Sequence, residues 1–237
     1  MINITIWSDF ACPYCYIGET RLKNAIDDLG IADKVNVEYR AYELDPTAPK
    51  EAITTTPERF AKKYRLTLDQ AKAQVEEISQ LGRDLGIDFN YVNSRYSNTR
   101  DAHRLMKLAE AKYDKSIVEL LNYLLFDAYF TKSLLLADHE VLMQIAKEAG
   151  MKEEEAKHLL DSNDYDDEVR YDEREASMRG VRGVPYMVFN DRLAIPGAIS
   201  TEDCKHLLRQ LMDNDKDDNA AKGDHPDACG ADGCQLA

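Results

Sequence analysis

The chain has 237 residues, 44% of them apolar and 31% charged, with a formal net charge of −14. That length can bury a substantial core, and the acidity excludes both a basic nucleic-acid-binding face and a polybasic membrane anchor. No stretch approaches 18 uninterrupted apolar residues, so no transmembrane helix is expected.

Residues 2–7 alternate, with Ile2, Ile4 and Ile6 on one side, and predict a strand that begins almost at Met1. The start Met1-Ile2-Asn3-Ile4-Thr5-Ile6-Trp7 has no basic, apolar and small-residue leader pattern. The expectation is therefore a cytoplasmic protein, where stable structural disulfides are uncommon. Asp9-Phe10-Ala11 forms a turn, and Cys12-Pro13 opens a helix, proline suiting the first helical position because its missing N–H would be unpaired there anyway. Leu22, Ala25, Ile26 and Leu29 give that helix its apolar stripe and Gly30 ends it. Residues 35–41 alternate again as a second strand, followed by an extended stretch, 44–56, with Pro46 and Pro49.

From Pro57 to about Gly180 the pattern is helical. Ala102, Leu105, Met106 and Ala109 carry helix spacing, as do Ile117, Leu120, Leu121, Leu124 and Ala128, and then Val141, Leu142, Ile145, Ala146 and Ala149. The sheet signal returns at 186–189, Asn190-Asp191 is a hairpin turn, and 193–195 is a short return strand. A last helix, about 201–213, has Cys204, Leu207, Leu208 and Leu211 on one face. The order strand–helix–strand, a long helical insert, then strand–strand–helix predicts an α/β thioredoxin fold (βαβ–ββα) with a large all-helical domain inserted after the second strand. The expected divisions are a discontinuous thioredoxin-like domain over 1–56 and 181–213, an insert over 57–180, and an acidic, poorly ordered tail over 214–237.

Cys12-Pro13-Tyr14-Cys15 is the sharpest chemical motif. Its place at a strand-to-helix junction is what a redox pair requires. At the helix start, unpaired N–H groups and the macrodipole favour an anion at Cys12, so this thiol attacks. Cys15, one turn along and more buried, resolves the mixed disulfide. Gly183-Val184-Pro185 precedes the third strand, where a proline is awkward unless its bond is cis. In a thioredoxin fold Pro185 lies against the cysteine pair, and Val184 offers its backbone to an extended substrate. Pro13 and Tyr14 are the other candidate substrate contacts. Asp9, three residues before Cys12, is first a turn residue and second a local acid or base near Cys15.

The tail carries a second pair, Cys229-Gly230-Ala231-Asp232-Gly233-Cys234. Three readings stand: a tail dithiol that exchanges with Cys12–Cys15, incidental thiols on a solvated tail, or a zinc site made of Cys12, Cys15, Cys229 and Cys234. The first two outweigh the third, so no metal is assigned. Cys204 reads as core, His103 as a packing or capping residue with a site-lining role in reserve, and His139, His158, His206 and His225 as surface.

Four segments resemble the DsbA-like thioredoxin oxidoreductases, and within them the FrnE type: 7–15 (Trp7 to Cys15), 98–105 (Asn98 to Leu105), 180–185 (Gly180 to Pro185) and 195–198 (Ile195 to Ala198). The resemblance implies the inserted helical domain, redox cysteines at Cys12 and Cys15, cis-Pro185, and Asn98 and His103 as candidate site-lining residues. It also implies a disulfide oxidoreductase or isomerase with no dissociable cofactor, glutathione as a candidate co-substrate, and thiol- or disulfide-containing proteins or small thiols as partners. FrnE-type proteins often end in a Cys-Gly-x-x-Gly-Cys element like the one at 229–234. Two further classes remain beside this one: a glutathione-dependent isomerase or transferase of the kappa or chromene carboxylate type, and a zinc-dependent structural or chaperone module.

Overall fold

The computed structural model describes the backbone of residues 1–222 and side chains through residue 213. Cys229 and Cys234 lie outside the described residues.

The first unit is β1 (Ile2–Ser8), α1 (Pro13–Leu29) and β2 (Val35–Ala41). The last is β3 (Tyr186–Phe189), β4 (Leu193–Pro196) and α9 (Thr201–Lys222). Between β2 and β3 lie α2 (Thr56–Tyr64), α3 (Leu68–Arg83), α4 (Arg100–Lys112), α5 (Lys115–Phe130), α6 (His139–Ala149), α7 (Glu153–Leu160) and α8 (Asp166–Met178). The four strands form one sheet in the order β2-β1-β3-β4. β1 pairs in parallel with β2 and antiparallel with β3, and β3 pairs antiparallel with β4. This is the thioredoxin fold with a helical insertion. The β3–β4 turn carries two successive positive φ values, Asn190 at 50° and Asp191 at 54°, the backbone that a right-twisted two-residue hairpin demands.

The period-2 pattern of β1 decides which layer each residue joins. Ile2, Ile4 and Ile6 face α1 and α9, packing with Leu22, Ala25, Ile26, Met187, Phe189, Cys204 and Leu208. Trp7 points the other way, against Ala176 of α8, Val181 and Val188. Its indole N–H donates to the Asp172 carbonyl at 3.1 Å. The largest cluster joins Phe10, Cys12, Cys15, Tyr16 and Ile17 to the buried faces of α3 to α7. Tyr16 carries α1 into that core, its ring parallel to Phe126 of α5 at 5.1 Å.

The β2 edge is covered by side chains of the insert. Glu110 of α4 accepts from the Tyr39 N–H at 2.8 Å, Lys107 donates to the Tyr39 carbonyl at 2.6 Å, and Asp172 of α8 accepts from the Ala41 N–H at 3.0 Å. Asp172 also meets Arg40 and Lys107, each at 2.7 Å. Edge-strand groups that would otherwise be unpaired are thereby satisfied.

Two expectations change. The insert is not helical throughout: 84–99 is irregular apart from a short 3-10 turn, Tyr91–Asn93. Gly86, Asn90, Asn93 and Asn98 punctuate this stretch with turn-forming residues, while its apolar members Phe89 and Tyr91 are fully buried. α9 runs to Lys222 instead of ending near residue 213. The apolar face ends there, but no glycine or proline interrupts the sequence before Gly223.

Candidate active site

α1 begins with Pro13 at its first position and Cys12 as its N-cap, φ −95° and ψ 113°, with no side-chain cap. The Cys12 N–H closes the preceding turn on the Asp9 carbonyl at 2.9 Å, and the Cys15 N–H donates to the Cys12 carbonyl at 3.1 Å. Both cysteines are free thiols. Cys15 is 0% exposed and Cys12 is 5% exposed, so the outer sulfur is the one a substrate can reach. Tyr14, between them, is 43% exposed.

The Val184–Pro185 peptide is cis. Cys12 Sγ lies 3.5 Å from the Val184 carbonyl oxygen, in donor geometry. The Pro185 carbonyl accepts from the Gly197 N–H at 2.8 Å. Gly18 permits this turn to approach α1, since a Cβ there would sit 3.2 Å from Pro185 Cγ and 3.1 Å from Ala198 Cβ. Arg21, one turn further, donates to the Ala198 carbonyl at 3.0 Å.

Asp9 is fully engaged in structure. Its carboxylate accepts from the Ala11 N–H at 3.1 Å, the Thr99 hydroxyl at 2.9 Å and the Leu44 N–H at 2.7 Å. It therefore ties the active-site turn to α4 and to the extended stretch after β2. His103 is buried with its ring 4.9 Å from that of Phe10, and its Nε2 is 3.7 Å from Asp9. Asn98 donates to Glu43 and the Pro46 carbonyl at 3.4 Å and accepts from the Arg100 N–H at 2.9 Å. These partners tie the extended stretch after β2 to the start of α4. His139, expected at the surface, is half-buried and paired with Asp101 at 3.0 Å.

Sequence reasoning overlooked the groups beneath Cys15. Glu19 lies four residues after it, on the same face of α1, and is buried. Its two oxygens accept from the Ser8 hydroxyl and the Asn122 side chain of α5, each at 2.6 Å. Burial pushes the Glu19 carboxyl up to about 7, against the pull of those two donors and of His103. Burial likewise pushes the Cys15 thiol well up, helped by its hydrogen bond to Cys12 and by the Cys12 and Glu19 charges, with Ser8 pulling the other way. The i, i+4 step from Cys15 to Glu19 was a readable signal.

The raised Glu19 carboxyl gives stability a pH slope. Below about 4.5 it is neutral both folded and unfolded; between 4.5 and 7 only the unfolded chain ionises it, so stability falls as pH rises. The full cost above pH 7 is about 3 kcal/mol. Urea unfolding at pH 5 and pH 8 tests this: Glu19→Gln is expected to lose less stability between the two than wild type, by up to about 3 kcal/mol. An equal loss in both proteins would refute it.

A family model described as a DSBA-like thioredoxin domain matches residues 3–209. The chain belongs to this family. A probable DsbA oxidoreductase from Streptomyces coelicolor is 30% identical in a structure superposing with a TM-score of 0.81, each chain covered in full. The uncharacterised protein YwbO of Bacillus subtilis is 26% identical over 200 residues, 83% of this chain and 90% of the relative. The cytosolic disulfide reductase DsbM of Pseudomonas aeruginosa, solved with GSH, shares the fold at 13% identity and a TM-score of 0.61, over 89% of this chain and 98% of that one. No helix among the described residues is long and apolar enough to cross a membrane.

Proposed function

We propose that this DsbA-like protein is a cytoplasmic thiol–disulfide oxidoreductase in which Cys12 attacks substrate disulfides and Cys15 resolves the product. The observation that carries the reading is the pairing of a slightly exposed thiol at the start of α1 with the Val184 carbonyl, 3.5 Å away at a cis-proline turn. A substrate sulfur approaching Cys12 meets the Val184 backbone, with the exposed Tyr14 two residues along. Its backbone can pair there as a transient strand. The Cys12 thiolate displaces one substrate sulfur as a thiolate and forms a mixed disulfide. Cys15, as a thiolate, then attacks Cys12 Sγ and releases the second substrate thiol.

For the second step Cys15 must lose its proton, and Glu19 is the base suited to take it: buried nearby and half-ionised near neutral pH. Substrates are protein disulfides or small disulfides, with glutathione as the reductant that returns the pair to its dithiol form. In a glutathione-dependent isomerase the thiolate of bound glutathione is the nucleophile and a second protein thiol has no step to perform, so the pair of thiols at Cys12 and Cys15 favours exchange over that reading.

The test is insulin reduction in a glutathione buffer, alongside refolding of reduced ribonuclease. Turnover in either assay that disappears on alkylating Cys12 is the expected result. Turnover that survives alkylation would overturn the reading, as would its absence in both assays.

A further inference from the structure

A cavity of about 830 Å³ opens between α1, β2 and α5, a volume that suits a drug-sized molecule. Cys12, Cys15, Val184 and Pro185 are absent from its walls, so its occupant is not the disulfide substrate. Its floor is apolar, made by Ile6, Leu22, Val35, Val37 and Phe126. Tyr16, Tyr39 and Tyr123 add aromatic wall.

The charges around this cavity are unbalanced. Five carboxylates line it (Glu19, Asp27, Asp88, Glu119 and Asp127) against two lysines, Lys23 and Lys115. Both lysines are already engaged. Lys23 pairs with Asp27, and Lys115 donates to the Val35 carbonyl at 2.7 Å and lies 3.6 Å from Glu119. The walls therefore repel an anion and attract a cation.

One corner of the cavity also lacks hydrogen-bond partners. The Tyr16 hydroxyl and the Thr131 hydroxyl are each buried without one, although Tyr16 is only 3% exposed. Buried polar groups are almost always satisfied, so two orphans on one cavity wall call for a ligand atom or water. Asp127 belongs to the same corner: the Thr131 N–H closes the end of α5 on its carbonyl at 2.9 Å. Burial first, then Tyr123 and Asp127, push the Tyr16 hydroxyl up, so the Asp127 carboxylate acts on it directly. The cation paired with Asp127 is the half-exposed Lys132, 3.0 Å from one carboxylate oxygen, which leaves the other oxygen for a ligand.

We propose that the α1–α5 cavity binds an organic ammonium compound with an apolar body, such as an aromatic amine, whose charged end is held by Asp127, Tyr16 and Thr131. The site is separate from the exchange reaction and does not depend on it. An ammonium carries three N–H donors and no acceptor, which matches one carboxylate oxygen and two hydroxyl oxygens. The Tyr123 ring adds an aromatic face of the kind that attracts cations. The apolar body covers Phe126 and the valines of β2, removing both surfaces from water. A neutral apolar molecule would fill the same floor but leave the two hydroxyls unpaired.

The experiment titrates the full-length protein calorimetrically with three probes of similar shape and different charge: tryptamine, 3-methylindole and indole-3-acetate. Tryptamine, the cation, is expected to bind about tenfold more tightly than neutral 3-methylindole, and the anion more weakly than either. Asp127→Asn, which keeps the shape of the corner, is expected to weaken tryptamine about tenfold and to leave 3-methylindole unchanged. Tyr16→Phe, which keeps the ring packed on Phe126, is expected to weaken tryptamine by a smaller factor. Alkylation of Cys12 is expected to leave tryptamine affinity as it was. Equal affinity for the three probes in wild type, or no binding of tryptamine, overturns the ammonium site without reference to any variant. Unchanged tryptamine affinity in Asp127→Asn removes the residue that holds the charge and overturns it as well. Loss of tryptamine binding on alkylation would put the amine in the substrate cleft and overturn the location, while leaving the exchange reaction untouched.

Discussion

Cys12→Ser is expected to reduce disulfide exchange to the uncatalysed background, and Cys15→Ser to accumulate mixed disulfides through Cys12. The asymmetry follows from placement. Cys12 is the slightly exposed N-cap of α1, with the Val184 carbonyl beside its sulfur. Cys15 is sealed, and its thiol is pushed well up, chiefly by burial. A thiol that stays protonated at neutral pH is a poor first nucleophile. Once a mixed disulfide places an electrophilic sulfur one helical turn away, the same thiol is held in position to attack it. Iodoacetamide labelling of the reduced protein at pH 7 followed by peptide mapping checks the order. Faster modification of Cys15 than of Cys12 would reverse the assignment.

The second large effect lies far from the sulfurs. Asp172→Ala is expected to destabilise the protein by about 3–5 kcal/mol, the usual cost of removing one partner from a buried charge cluster. The Asp172 side chain is 1% exposed and serves Arg40, Lys107 and the Ala41 N–H together. Without it, Arg40 keeps Glu38 and Glu175 and Lys107 keeps Glu110, but the buried carboxylate that joins the two cations is gone and one edge N–H loses its acceptor. Asp172→Asn keeps the shape and one acceptor, so a smaller loss is expected. The midpoints of urea unfolding for the two variants report this directly. A change below about 1 kcal/mol in Asp172→Ala would place the attachment of the insert in apolar packing instead.

The parts of this molecule that sequence reveals are those with a local period. β1 alternates residue by residue, α4, α5 and α6 repeat apolar residues at helical spacing, and the turn at Asn190-Asp191 uses side chains that tolerate positive φ. The cysteine motif is local as well, since its spacing is one helical turn. What stays hidden is set by partners far apart in the chain. Asp172 sits 132 residues from Arg40, and nothing in the acidic run of α8 marks it as the one buried carboxylate that binds β2. Asn122 interrupts an otherwise apolar helix face, yet its reason, Glu19, lies 103 residues away. The stretch 84–99 looked helical because its neighbours are; its asparagines and glycine made it a loop whose aromatic residues fill the floor beside Tyr16.

The two edges of the sheet have a consequence for what can dock. Along β2, outward-facing amide groups at Tyr39 and Ala41 are already bonded to Glu110, Lys107 and Asp172. Along β4, the strand is four residues long and ends in Pro196, which has no N–H to offer. An extended chain therefore meets a β2 edge partly bonded already and a β4 edge only four residues long, features that discourage edge-to-edge stacking. Main-chain pairing is left to the short turn at Val184, beside the reactive sulfur. If the proposed exchange reaction holds, the scarcity of open edges elsewhere leaves that turn as the place where an extended disulfide substrate pairs.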